Sequence, residues 1–183
     1  METSEVNGNA VETGEVSGSA VKTSEVSSNA PEPGEIIGIE TRLGRREVFA
    51  DKVIVFPCGL IGFEGQREFT LLQIQENAPL LLLQSMDTPT LGLLVADPYV
   101  FIPEYSLTVG DAEQELLQAK DVDDIAVLVT ASIPPGKPED AVLNLLGPIL
   151  VNHTLRLGLQ VPQFEGAGPL RVRIRSRIQP PEK

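Results

Sequence analysis

Residues 53–74 read VIVFPCGLIGFEGQREFTLLQI. Two apolar runs, 53–56 and 67–74, flank a segment in which Gly59, Gly62 and Gly65 recur every third residue. That GxxGxxG spacing is neither the dinucleotide fingerprint nor a P-loop, and no Lys-Ser or Lys-Thr follows it. The glycines suit tight turns between strands, where positive φ is needed. The same grammar continues in both directions, with β-rich runs at 36–42, 46–50, 80–85, 91–96, 125–131, 141–145, 149–152, 155–161 and 170–178. Gly, Pro, Asn and Asp divide them, and the chain holds 15 prolines. Spacing this close predicts an all-β, antiparallel sandwich or barrel rather than βαβ units. One short helix is expected to interrupt it, with Asp111 as its cap, Gln114 at the capping-box position and a narrow apolar face of Ala112, Leu116 and Leu117.

Outside this pattern lie the two ends. METSEVNGNA, VETGEVSGSA and VKTSEVSSNA repeat a ten-residue unit in which Val6, Val11, Val16, Val21 and Val26 recur every five residues. Such a period rotates successive valines by about 140° on a helix and sends them to alternate faces of a strand, so neither structure buries them together. With Gly, Ser, Asn and Glu between them, residues 1–35 are expected to form a disordered acidic leader, and 36–179 a single domain followed by a short tail, 180–183. LRVRIRSRI, near the C-terminus, alternates Leu170, Val172, Ile174 and Ile178 with Arg171, Arg173, Arg175 and Arg177. The arginine face fits a protected edge strand, a dock for an acidic surface or phosphate, or internal ion pairing.

Net charge is −12, of which the first 35 residues supply −6 through seven acids against Lys22. Both parts of the chain repel nucleic acid at long range, whereas a basic protein partner is attracted. No run approaches the roughly 20 apolar residues of a membrane span, and no signal-peptide pattern opens the chain, so the cytoplasm is expected. The single Cys58 agrees with a reducing compartment.

Few residues here suit catalysis. His153 and Cys58 are the only histidine and cysteine, so a dyad needs these two to meet, and ordinary zinc sites need more such ligands. Asp121, Asp123 and Asp124 begin like a calcium loop but lack the following Gly and Glu; they read as a solvated helix end. By elimination the residues indicate a binding protein with no cofactor, metal or catalytic site.

A longer pattern adds to this. Phe56, Pro57, Gly59, Leu60, Gly62, Phe63 and Glu64, then Phe69, then Leu83, Gln84 and Ser85, then Asp97, Pro98, Phe101 and Tyr105 stand in order at matching spacing. Asn144, Leu145, Pro148, Ile149, Asn152 and Gln160 continue it. Over roughly residues 36–161 the chain resembles the flagellar assembly factor FliW family. Residues 1–35 have no counterpart in that pattern, and GPLRVRIRSRI replaces the family's C-terminal ending. The resemblance implies a small antiparallel β-barrel-like protein with one or two short helices and no catalytic activity. It also implies two partners, flagellin and the RNA-binding regulator CsrA, whose repression of flagellin translation is relieved by partner switching. The expected contacts are Phe56, Pro57, Gly59, Gly62 and Phe63 in the turn, Asp121, Asp123 and Asp124, and Asn144, Pro148 and Asn152. A structural hairpin remains an equal reading of the turn. A small-ligand-binding barrel and an enzyme using His153 or Cys58 are the competing functional readings.

Overall fold

A computed structural model describes residues 34–137, 140–163 and 171–173. The repeat leader up to residue 33, Arg175, Arg177 and the C-terminal tail lie outside the described residues.

The domain opens with a hairpin, β1 (Ile36–Ile39) against β2 (Arg46–Phe49), in the register Ile36 opposite Phe49 and Ile39 opposite Arg46. Eight further strands make one sheet: β3 (Ile54–Val55), β4 (Glu68–Gln73), β5 (Leu80–Ser85), β6 (Gly92–Ala96), β7 (Ile125–Ser132), β8 (Val142–Asn152), β9 (Leu157–Gln160) and β10 (Arg171–Arg173). Their order is β10-β8-β7-β6-β5-β4-β3-β9, and β9 also pairs with β8, so seven strands close on themselves in a barrel-like ring. Closure leaves few unpaired edges, the usual answer of an all-β domain to the edge-strand problem. One junction departs from the antiparallel expectation: β3 and β9 run parallel, joined at Val55 and Leu157.

Alternation along the strands sorts apolar side chains to two faces. Inside the ring, Ile54, Phe56, Phe69, Leu83, Val95, Leu128, Ile149 and Val151 form one cluster, with Phe56 and Phe69 edge to face at 5.3 Å. Such a pair adds about 0.5–1.5 kcal/mol beyond its area. On the outer face, Leu80, Ala96, Val129, Leu143 and Leu145 are covered by Tyr105 with Phe101, Ile102 and Leu107. Burial, and to a lesser extent the neighbouring Tyr99, raises the Tyr105 phenol above its ordinary range; the neutral hydroxyl donates to the Leu145 carbonyl at 3.2 Å. A third cluster sets Leu117 of the helix α1 (Asp111–Leu117) on Leu150, Leu159 and Val161.

The runs 141–145 and 149–152, expected as separate strands, are one strand with a bulge. Leu128 faces Ile149 and Thr130 faces Asn144, so two steps on β7 span five on β8. Three extra residues, an odd number, exchange the faces: Leu143 and Leu145 point outward, Ile149 and Val151 inward. Pro148 brings no N–H to the ladder. The bulge's carbonyls are nonetheless used, Leu146 O by Gln163 N (2.7 Å), Gly147 O by Gln160 Nε2 (3.1 Å) and Pro148 O by Val161 N (2.9 Å).

The helix differs from its expectation. Gly110, not Asp111, occupies the cap position, without a side-chain cap, and Gln114 makes no capping box. Of the expected apolar face only Leu117 is buried, while Ala112 and Leu116 are exposed. Seven residues make two turns, and Gln118 ends them in the left-handed region at φ 51°, leaving room for one buried knob.

The acidic triplet is likewise not the end of α1. Val122–Asp124 form a separate 3-10 turn with its own capping box, Asp121 Oδ1 accepting from Asp123 N and Asp124 Oδ2 from Asp121 N. In β10, Arg171 and Arg173 are exposed beside half-buried Val172, and Arg173 reaches Asp140 at 3.5 Å. An exposed pair of this kind contributes little.

Candidate functional site

Two surfaces gather the residues singled out in the sequence. The first is the turn after β3. Phe56 is 0% exposed and plugs the ring; the next residues, Pro57 and Cys58, are on the surface. Gly59 N–H donates to Phe56 O (2.9 Å) and Phe63 N–H to Leu60 O (2.8 Å), closing two tight turns in succession. Gly59 sits at φ 68°, and a Cβ there would lie 2.7 Å from the Glu64 backbone, so both conformation and space require glycine. Gly62 N–H donates to the Glu64 carboxylate at 2.8 Å. That bond, followed by the one from Glu64's own N–H, holds this carboxyl below its ordinary range. The Arg67 guanidinium donates to the Pro57 carbonyl. Leu60 is buried as the anchor, and Ile61 (57% exposed) and Phe63 (39%) are left facing solvent.

Gln160 joins this turn to the β8 bulge. Its Oε1 accepts from Ile61 N (2.9 Å) while its Nε2 donates to Gly147 O (3.1 Å). The turn and the Pro148 region are thereby one structural unit, which their separation in sequence does not suggest. Pro148 itself is buried, and Asn144 is half-buried with its Oδ1 accepting from Leu146 N.

The far end of β8 belongs to the second surface. Asn152 is 1% exposed; its Nδ2 donates to Leu117 O at the end of α1, and its Oδ1 accepts from Thr154 N and Leu155 N. His153 N donates to Asp124 O, and its Nε2 lies 3.0 Å from Asp123 O. The single histidine thus staples the acidic turn to β8. No hydrogen bond joins it to the exposed Cys58 among the described residues.

Between the acidic turn, α1 and the outer face of the sheet runs a groove of about 830 Å³. Its floor is apolar: Leu107, Val109, Leu117, Ile125, Val127 and Leu150. Tyr99, Gln114, Lys120, Asp121, Val122 and Asp123 stand around it, and Val122 is 85% exposed. The sequence had marked the two aspartates but not the floor. Leu107, Val109 and Val127 read there as ordinary strand or loop residues, and only the fold brings them to one concavity. No helix among the described residues is long and apolar enough to cross a membrane.

A family model, FliW protein, matches residues 38–174. A flagellar assembly factor FliW from Nitratidesulfovibrio vulgaris (strain DP4) is 58% identical over 133 residues, 73% of this chain and 77% of that protein. Another, from Desulfovibrio desulfuricans, is 56% identical over 142 residues, covering 76% of this chain and 85% of the relative. The crystal structure of a flagellar assembly factor FliW superposes with a TM-score of 0.70 at 30% identity, covering 80% of this chain and 99% of its own.

Proposed function

This chain belongs to the FliW family of flagellar assembly factors, and from that premise we propose that it works without catalysis, by holding protein partners in the cytoplasm. The partners are flagellin and CsrA. Flagellin occupies the protein while abundant; once flagellin is secreted, the freed protein binds CsrA and relieves its repression of flagellin translation. Such a switch needs only mass action, each partner's occupancy depending on the free concentration of the other.

The observation that carries this reading is the family match across residues 38–174, most of the chain. Charge supports it: at −12 the chain attracts a basic RNA-binding protein and repels the RNA that protein holds. In the turn, Pro57 and Phe63 meet a partner while buried Phe56 and Gly59, with the exposed Gly62 at φ 83°, fix their geometry. Asp121, Asp123 and Asp124 form the acidic face, held in place by His153 while Asn152 ties down the neighbouring end of α1, with Asn144 and Pro148 shaping the bulge behind the turn. A small-ligand barrel is less favoured, because Phe56, Phe69, Leu83 and Ile149, each fully buried, fill the ring's interior.

The test is co-purification of the tagged full-length chain with flagellin and with CsrA from a cell expressing all three. Retention of both is expected; retention of neither overturns the reading.

A further inference from the structure

The groove beside the acidic turn has the chemistry of a receptor for one kind of element. Its floor is made of side chains from four places: the 107–109 segment, α1, β7 and β8. It is not the hydrogen-bonding edge of a single strand. A guest therefore meets side chains, and a helix presenting apolar residues at i, i+3, i+4 and i+7 is the element that fits such a floor. A volume of about 830 Å³ corresponds to about two turns of a helix roughly 10 Å across.

Charge selects the guest further. Residues 104–124 carry seven acids, Glu104, Asp111, Glu113, Glu115, Asp121, Asp123 and Asp124, against Lys120 alone. That net of −6 equals the whole excess of the chain beyond residue 35. The two ion pairs among the described residues, Lys52 with Asp51 and Arg173 with Asp140, involve none of them. An apolar floor beside uncompensated carboxylates favours cations flanking an apolar stripe. Val122, almost fully exposed between Asp121 and Asp123, places apolar and acidic contacts side by side at the rim.

We propose that this groove docks an amphipathic helix of a protein partner, its apolar stripe on the half-buried Val109, Ile125 and Val127, which the buried Leu117 and Leu150 support from beneath, and its Lys or Arg residues against the 111–124 acids. The proposal rests on the protein-binding reading above and gives that reading a surface. A designed guest keeps its test independent of flagellin and CsrA.

The test titrates the isotope-labelled full-length protein with two synthetic peptides of about 15 residues, near the length at which an isolated helix becomes marginal. One carries Leu and Lys at helical spacing; the other carries Val and Lys in strict alternation, with the same charge. The expected result is saturable shifts at Val109, Leu117 and residues 121–127 with the helical peptide alone. In the double variant Val122→Lys/Asp123→Lys, binding weakens at least about tenfold. Both positions are exposed, and the turn's capping uses the carboxylates of Asp121 and Asp124, so the variant retains the wild-type fold and spectrum elsewhere. Shifts at other residues, equal binding of the two peptides, unchanged affinity in the variant, or no saturable shift up to about 1 mM would each overturn the proposal. Failure to retain flagellin or CsrA, with the helical peptide still bound here, would sink only the named partners.

Discussion

Gly158, in the middle of β9, shows how a single residue holds the fold to the candidate site. A Cβ added there would overlap the ring of Phe56, the side chain that anchors the turn from inside the ring. Replacing Gly158 by Ala is expected to cost about 1–3 kcal/mol, the usual range for overpacking a core. The variant Phe56→Leu makes room, so the double variant should be more stable than the two single costs added together. Urea midpoints of the four proteins at constant slope measure this; strict additivity would show that the two residues do not share the space. Phe56 was legible in the sequence as part of the FPCGLIGF turn. The need for glycine at 158 was not, because the atom that demands it lies about a hundred residues away in the chain.

Among the elements, most strand runs followed from composition and punctuation, since each rests on neighbours in sequence, although the run expected at 36–42 ends at Ile39 and only Arg171–Arg173 of 170–178 falls among described strand residues. Departures arose where a distant partner decides. Gly147 and Pro148 look like a break between strands, and β8 continues through them because Gln160, Val161 and Gln163 take up the carbonyls of the bulge. The capping signal around Asp111 was overridden by Gly110, while a real capping box stood ten residues on at Asp121. Asn152 is the element-scale keystone, one amide serving the end of α1 and the turn after β8. Asn152→Ala removes three hydrogen bonds at a buried position and should cost about 2–3 kcal/mol. Hydrogen exchange should quicken at the end of α1 and at residues 154–155 more than at β4 or β5. Uniform acceleration across the sheet would assign Asn152 to global packing instead.

For the whole molecule, the close spacing of short strands indicated an antiparallel sandwich or barrel, and the ordered match from Phe56 to Gln160 indicated the family and, through it, the barrel-like form. The parallel β3–β9 closure could not be foreseen, since it depends on which strands meet last and is joined at a single register pair. The groove was invisible for a similar reason: its floor is assembled from residues spread over 107–150. Its acids, by contrast, were plain in the sequence, and they sit beside the half-buried Leu107, Val109, Ile125 and Val127. A negatively charged protein with such a surface is suited to take a basic RNA-binding protein without touching RNA. Partner switching is the central claim, and one measurement reaches it most directly: titration of a preformed complex of CsrA with the flagellin messenger, followed by RNA anisotropy. The full-length protein should release the RNA in a saturable manner, and preloading it with flagellin should suppress that release in proportion to the flagellin added. No release at saturating protein, or release indifferent to flagellin, would contradict the account.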